Sequence, residues 1–157
     1  MGWLSGPLPR FVAVQAEHCA PIVKAFYEGA EMTAAWENPT THAAGLRVPS
    51  PFAGRQMLKI LRDTRGDAVA VSEEAIREAQ RRLARVEGVW TSPEGAALVA
   101  ALETLRARGT VTPDARVVLV LTGAGIKYDA PALPPPVDLT GSDDAIVATV
   151  VRTLGAR

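Results

Sequence analysis

Thr122, Gly123 and Gly125 stand at the carboxyl end of five consecutive apolar residues, Val117 to Leu121, three of them β-branched. A run without polar alternation needs cover on both faces, which predicts the central strand of a parallel sheet. Ligands of open α/β sheets bind outside the carboxyl ends of the strands. A hydroxyl and two glycines placed there therefore predict a point where a flat ligand approaches the backbone. The same four residues, Thr122 to Gly125, also read as a tight turn. Two nucleotide motifs are excluded. A dinucleotide fingerprint needs a third glycine where Tyr128 stands and a helix where Pro131 and Pro134 to Pro136 follow, and Lys127 lacks the preceding glycine of a phosphate loop.

Three other places carry chemistry-bearing residues. Gln15, Glu17, His18 and Cys19 close a second apolar run, Phe11 to Ala16. A thiol nucleophile built from Cys19 with His18 or His42 lacks a third group to orient the imidazole, and a buried structural cysteine is the competing reading. The long irregular segment from Trp36 to Pro51 contains Thr40, Thr41, His42 and Arg47. Segments of that length are often lids or ligand loops, and Arg47 suits bidentate hold on an anion; a solvated connection fits the segment equally well. Finally, Pro93-Glu94-Gly95-Ala96-Ala97 opens a helix with little side-chain bulk. An anion or a flat ring can approach such an end, while Glu94 also reads simply as a partner of the helix dipole.

The elements that must position these residues alternate in type. Strands are predicted over 11–16, 67–71 and 117–121. Helices are predicted over 20–28 with Pro21 near its start, from Phe52 to Asp63, after the cap Ser72, from Pro93 to Gly109, and after Ser142. In the helix after Ser72, Ile76, Ala79, Leu83 and Val86 form the buried stripe, and Glu73 with Arg77 and Glu78 with Arg82 are spaced as i,i+4 pairs. In the last helix Ile146, Val147, Val150, Val151 and Leu154 share the apolar face. This alternation predicts an α/β fold: three layers, with a mainly parallel sheet of about four strands flanked by helices.

Composition narrows the classes. A chain of 157 residues with 48% apolar content predicts one globular unit with a real core. Basic and acidic residues number 17 each, so charge gives no reason to expect a nucleic acid or an anionic membrane as partner. The single cysteine excludes an internal disulfide framework. With no signal pattern at the start and no apolar run of membrane length, it predicts a cytoplasmic chain. Only three lysines, Lys24, Lys59 and Lys127, stand against fourteen arginines.

Taken together, Pro9 to Glu17, Gly45 to Pro49, Glu87-Gly88 with Ser92 to Ala97, and Leu121 to Lys127 resemble, in order and spacing, the carboxyl-terminal half of threonine synthase. The resemblance covers roughly residues 3 to 128. It implies part of a fold-type II pyridoxal 5'-phosphate enzyme domain, like the tryptophan synthase β chain. It implies the conversion of O-phosphohomoserine and water to threonine and phosphate, a small amino-acid substrate and a place in threonine biosynthesis. It gives Thr122 the hydrogen bond to the cofactor's pyridine nitrogen, with Gly123, Gly125 and Glu94 beside the ring. A neutral hydroxyl there does not force ring protonation and so moderates the electron sink.

The departures from the family are as informative as the matches. The segments with the Schiff-base lysine, the asparagine loop facing the ring and the glycine loop for the cofactor phosphate have no counterpart here. Lys24 and Lys59 lie in no matching context, and Lys127 matches a family position that is not the Schiff-base lysine. The chain alone is therefore expected to be inactive: a truncated or split subunit with no catalytic residue of its own, completed by an amino-terminal half or by oligomerisation. A non-catalytic ligand-binding or protein-binding remnant is the alternative. Residues 1–130 are assigned to the enzyme-like portion and 131–157 to a proline-rich crossover and a final helix.

Overall fold

Two short strands, β1 (Val12–Ala16) and β2 (Asp67–Val71), lie parallel, with Val12 opposite Asp67 and Ala16 opposite Val71. They come from a computed structural model that describes residues 6, 8–128 and 140–155. Between the strands run α1 (Pro21–Tyr27) and α2 (Gly54–Asp63); α3 (Glu73–Glu87), α4 (Pro93–Ala107) and α5 (Asp143–Gly155) follow β2. One-turn 3₁₀ helices occupy Ala44–Leu46 and Gly125–Lys127.

Strand side chains alternate between faces, and that period of two builds the layers. Val14, Ala16, Val69 and Val71 pack with Ile76 and Ala79 of α3 and with Ala96, Ala97, Ala100, Ala101 and Leu105 of α4. Ala13 and Ala68 turn the other way, onto Ile22 and Ala25 of α1 and Leu58 and Leu61 of α2. The result is a helix, sheet, helix sandwich, the three-layer α/β arrangement that the alternation of elements predicts.

Local chemistry fixes each helix. Ser72 Oγ accepts from Ala75 N at the start of α3, and Gly88 closes that helix at φ +67°, a left-handed turn that glycine adopts without strain. Ser92 caps α4 in the same way, with Pro93 in its first turn. α1 has no cap of its own; instead Gln15 of β1 reaches across and its Oε1 accepts from Ile22 N at 2.8 Å and Val23 N at 3.1 Å. The sequence groups Gln15 with functional-looking residues, and the fold gives it this structural task.

Four expectations need correction. Residues 117–121 form no strand among the described residues, and the sheet there has two strands. The run is extended and apolar, but a strand exists only where a neighbour pairs its backbone, and no described segment does so. In α3, Ile76 and Ala79 are buried, whereas Val86 is 67% exposed and Gln80 takes a buried place. Gln80 is held there because its Nε2 donates to Thr91 O at 2.7 Å. Glu78 pairs with Arg81 and Arg85, while Arg82 turns to Glu103 of α4. In α5, Val147 and Val151 of the expected apolar face are exposed. Pro134 to Pro136 and the boundary at residue 130 lie outside the described residues. No described helix is long and apolar enough to cross a membrane.

Candidate functional site

The amino end of α4 is where the chemistry-bearing segments meet. Trp90 to Ser92 lead into the helix, and residues 123–125 lie against them. Ser92 N donates to Gly123 O at 2.9 Å, Thr91 Oγ1 to the same oxygen at 3.2 Å, and Gly125 N to Trp90 O at 2.9 Å. Thr91 and Ala124 form an antiparallel bridge. The glycines allow this approach. A Cβ on Gly125 would stand 2.4 Å from Trp90 Cδ1 and 2.7 Å from Thr91 O, and one on Gly95 2.1 Å from Thr91 Oγ1.

Glu94, in the first turn of α4, ties two further pieces to this centre. Its Oε1 accepts from Gly45 N at 2.7 Å, and Tyr128 Oη donates to the same carboxylate. Burial alone would raise the Glu94 carboxyl. The bonds from Gly45 N, its own backbone N, Tyr128 and Ser92 outweigh that, and its pKa lies below the ordinary carboxylate range. Tyr128 shifts upward in turn, chiefly because its hydroxyl serves that anion. Of the four residues proposed from sequence, Gly123, Gly125 and Glu94 thus converge here. Thr122 precedes them on the same segment; it is exposed, and its hydroxyl has no hydrogen-bond partner among the described residues.

Sequence reasoning missed Gly45 and Tyr128 as members of this cluster. Both lie within stretches it quoted, but nothing in their spacing says that one carboxylate holds both. It also missed a second carboxylate clamp. Glu73 Oε2, in the first turn of α3, accepts from His42 N at 3.0 Å and touches His42 Nδ1. Burial acts to raise the Glu73 carboxyl, but hydrogen bonds from the His42 ring, Thr41 and His42 N prevail and lower it to about 2. The loop 42–45 is therefore fastened at one end to α3 and at the other to α4. Arg47, read from sequence as an anion holder, is exposed and borders an open depression of about 350 Å³ with Thr40, Thr41, His42 and Glu73.

The thiol reading finds no support in this geometry. Cys19 is fully buried, and burial pushes its thiol upward, away from the reactive thiolate. His18 is exposed beside Glu17, and His42 is engaged by Glu73. Among the described residues no group of three or more metal-ligating side chains gathers.

A parallel α/β sandwich with glycine-lined backbone at a helix start is the kind of fold that seats a flat cofactor. The comparisons then specify the family: residues 3–123 match the pyridoxal-phosphate dependent enzyme family, and the chain belongs to it. It is 37% identical over 120 residues to threonine synthase of Methanocaldococcus jannaschii and 38% identical over 124 residues to threonine synthase of Methanosarcina acetivorans. These matches take in 76% and 79% of this chain. The chain spans only 30% and 31% of the length of those relatives. Among solved structures, a T.th. threonine deaminase superposes with a TM-score of 0.55 at 25% identity, over 76% of this chain and 41% of that one.

The residues present fit one side of pyridoxal phosphate. An exposed, unpartnered hydroxyl at Thr122 suits a ring nitrogen, and Gly123 and Gly125, packed against Ser92 and against Trp90 and Thr91, fix the backbone that carries it. Lys59 is paired with Asp63 on α2, Lys24 lies exposed on α1, and Lys127 is exposed in the 3₁₀ turn beyond Gly125.

Proposed function

We propose that this chain supplies the ring-nitrogen side of a pyridoxal phosphate site of threonine synthase type, completed by a partner that carries the Schiff-base lysine. The observation that carries the reading is the unpartnered Thr122 hydroxyl, held beside the α4 start by the backbone bonds of Gly123 and Gly125. When bound, the cofactor withdraws electrons from the amino-acid carbon under attack. This chain's own residues orient it. Thr122 offers a neutral hydroxyl to the ring nitrogen, Gly123 and Gly125 seat its segment flush against the start of α4, and Glu94 holds the Gly45 loop and Tyr128 in place around it. In this reading Glu94 is a positioning residue, since its oxygens are already committed to Gly45 and Tyr128.

The reaction follows the threonine synthase relatives: O-phosphohomoserine and water give threonine and phosphate. Alone, the chain is inactive, because the proton transfers of that reaction need an amine at the cofactor and the three lysines here lie elsewhere. The test is an absorbance titration of the purified chain with pyridoxal phosphate before and after borohydride reduction, followed by mass spectrometry. The expected result is no reducible lysine adduct from the chain alone, and phosphate release from O-phosphohomoserine only with a lysine-bearing amino-terminal partner. A stoichiometric adduct on Lys24, Lys59 or Lys127 with turnover by the chain alone would overturn the division of labour.

A further inference from the structure

Arg65, at φ +52°, is one of two non-glycine residues in the left-handed region among the described residues; the other is Asn38, a residue type that tolerates it. Arg65 closes α2. Its N donates to Arg62 O at 3.0 Å and Gly66 N donates to Leu61 O at 2.7 Å, the pair of bonds that ends a helix through a left-handed residue. Glycine is the usual occupant of that position. The neighbouring Gly66 has a separate reason to be glycine, since a Cβ there would stand 2.0 Å from Phe11 O. Nothing in the turn calls for an arginine at 65, so the reason for keeping the strain lies in its side chain.

A second arginine is brought to the same place. Arg10 Nε donates to Arg65 O at 2.8 Å and its Nη1 reaches Thr110 O at 3.5 Å, which holds its guanidinium against the turn and leaves part of the fork free. The Arg65 guanidinium has no hydrogen bond or ion pair among the described residues, and that of Arg10 has no carboxylate. The acids nearest to Arg65 in sequence are engaged elsewhere, Asp63 with Lys59 and Asp67 with Tyr27. Both arginines line one open depression of about 460 Å³ with Leu8 and Thr64. Thr64 offers no free donor there, because its hydroxyl donates to Ile60 O. Two like charges gathered without a counter-ion repel each other, and an anion between them turns that repulsion into attraction.

We propose that this depression binds a phosphate group, the free ion or a phosphomonoester, between the Arg10 and Arg65 guanidiniums. Two forks carry two positive charges, which match a dianion better than a single carboxylate, and a tetrahedral phosphate accepts paired bonds from more than one side. The carbon portion of an ester would lie along Leu8, which is 73% exposed. The site does not depend on the ring-nitrogen reading. Arg10 and Arg65 precede the amino ends of β1 and β2, and Thr110, which Arg10 reaches, follows the end of α4. Glu94 and Gly123 lie at the start of that helix, roughly 20 Å away along its axis.

The test is isothermal titration calorimetry of the purified full chain at low ionic strength, with inorganic phosphate, butyl phosphate and acetate as separate titrants. Expected is one saturable phosphate site, weakened at least ~10-fold in Arg65→Gly and in Arg10→Gln. Arg65→Gly is the decisive variant, because glycine relieves the left-handed strain. Its melting temperature in phosphate-free buffer should equal or exceed the parent's while the phosphate site is lost. Butyl phosphate bound more tightly than the free ion supports a phosphomonoester as the ligand; equal or weaker binding supports free phosphate. Absence of saturable binding by the parent overturns the proposal, as does phosphate affinity unchanged in Arg65→Gly, or acetate bound as tightly as phosphate. Loss of binding together with a lowered melting temperature in both variants would reduce the effect to folding and overturn it as well.

Discussion

The Tyr128 hydroxyl stands 3.0 and 2.9 Å from the two carboxylate oxygens of Glu94, so the segment that follows Gly125 is hydrogen-bonded to the first turn of α4. That carboxylate holds Tyr128 in its neutral form. In a Tyr27→Phe background Tyr128 is the only remaining tyrosine. Adding Glu94→Gln is then expected to move its ionisation down toward the ordinary phenol range, as read by ultraviolet phenolate absorbance. An unmoved titration would show that the contact does not exist in solution.

Glycine positions separate packing from turn geometry. Gly125→Ala drives a methyl into Trp90 and the Thr91 carbonyl, and should destabilise by about 2 to 3 kcal/mol through overpacking. Gly88→Ala meets open space and costs only the left-handed φ, about 1 kcal/mol. Urea unfolding of the two variants should rank them in that order.

Gln15 replaces a missing helix cap. Gln15→Met keeps the volume but strands Ile22 N and Val23 N at the buried start of α1, with an expected loss of about 1 to 3 kcal/mol. A denaturation midpoint equal to the parent's would remove Gln15 from the account of α1.

Glu73 sets an acid limit. Its carboxyl is depressed from 4.5 to about 2 in the folded chain, so its stabilising contribution is complete above the unfolded value and disappears as pH falls from about 4.5 toward 2. The difference in unfolding midpoint between the parent and Glu73→Gln should be present above about pH 4.5 and close to zero at the low end of that window. A difference that persists at the acid end would mean that the carboxylate charge is not what stabilises the loop.

Thr122→Val tests the hydroxyl alone. Because Thr122 is exposed and unpartnered, stability should change by less than about 0.5 kcal/mol. In the reconstituted complex, cofactor affinity and absorbance should shift. Unaltered cofactor spectra with full activity would remove Thr122 from the site.

How far the sequence could be read depended on whether the deciding contacts were local. β1, β2 and the starts of α3 and α4 follow from apolar runs, Ser72, Ser92 and Pro93, all of which act within a turn of their own position. The run 117–121 reads as a buried strand from its composition, but among the described residues it forms no strand and Val118 and Val120 stand exposed, because no described segment pairs or covers it. The Glu94 link to Gly45 and the Glu73 link to His42 were not legible. Each joins residues 31 or 49 positions apart, and no periodicity encodes such a pairing. Gln80 was hidden for the same reason: a polar residue on a buried stripe looks like an error until Thr91 O is seen to accept its proton.

The parallel register also has a consequence in time. Val12 finds its partner Asp67 only after 55 further residues have been made. At roughly 5 to 20 residues per second, β1 waits about 3 to 11 seconds on the ribosome with its apolar side chains unpaired. Closing a loop of that length is entropically slow compared with forming the local helices α1 and α2. These helices can therefore form ahead of the strand pairing and shield Ala13 before β2 arrives. The opposite face of β1, which will meet α3 and α4, has no such early cover, and there a nascent chain of this protein is most exposed to wrong pairing.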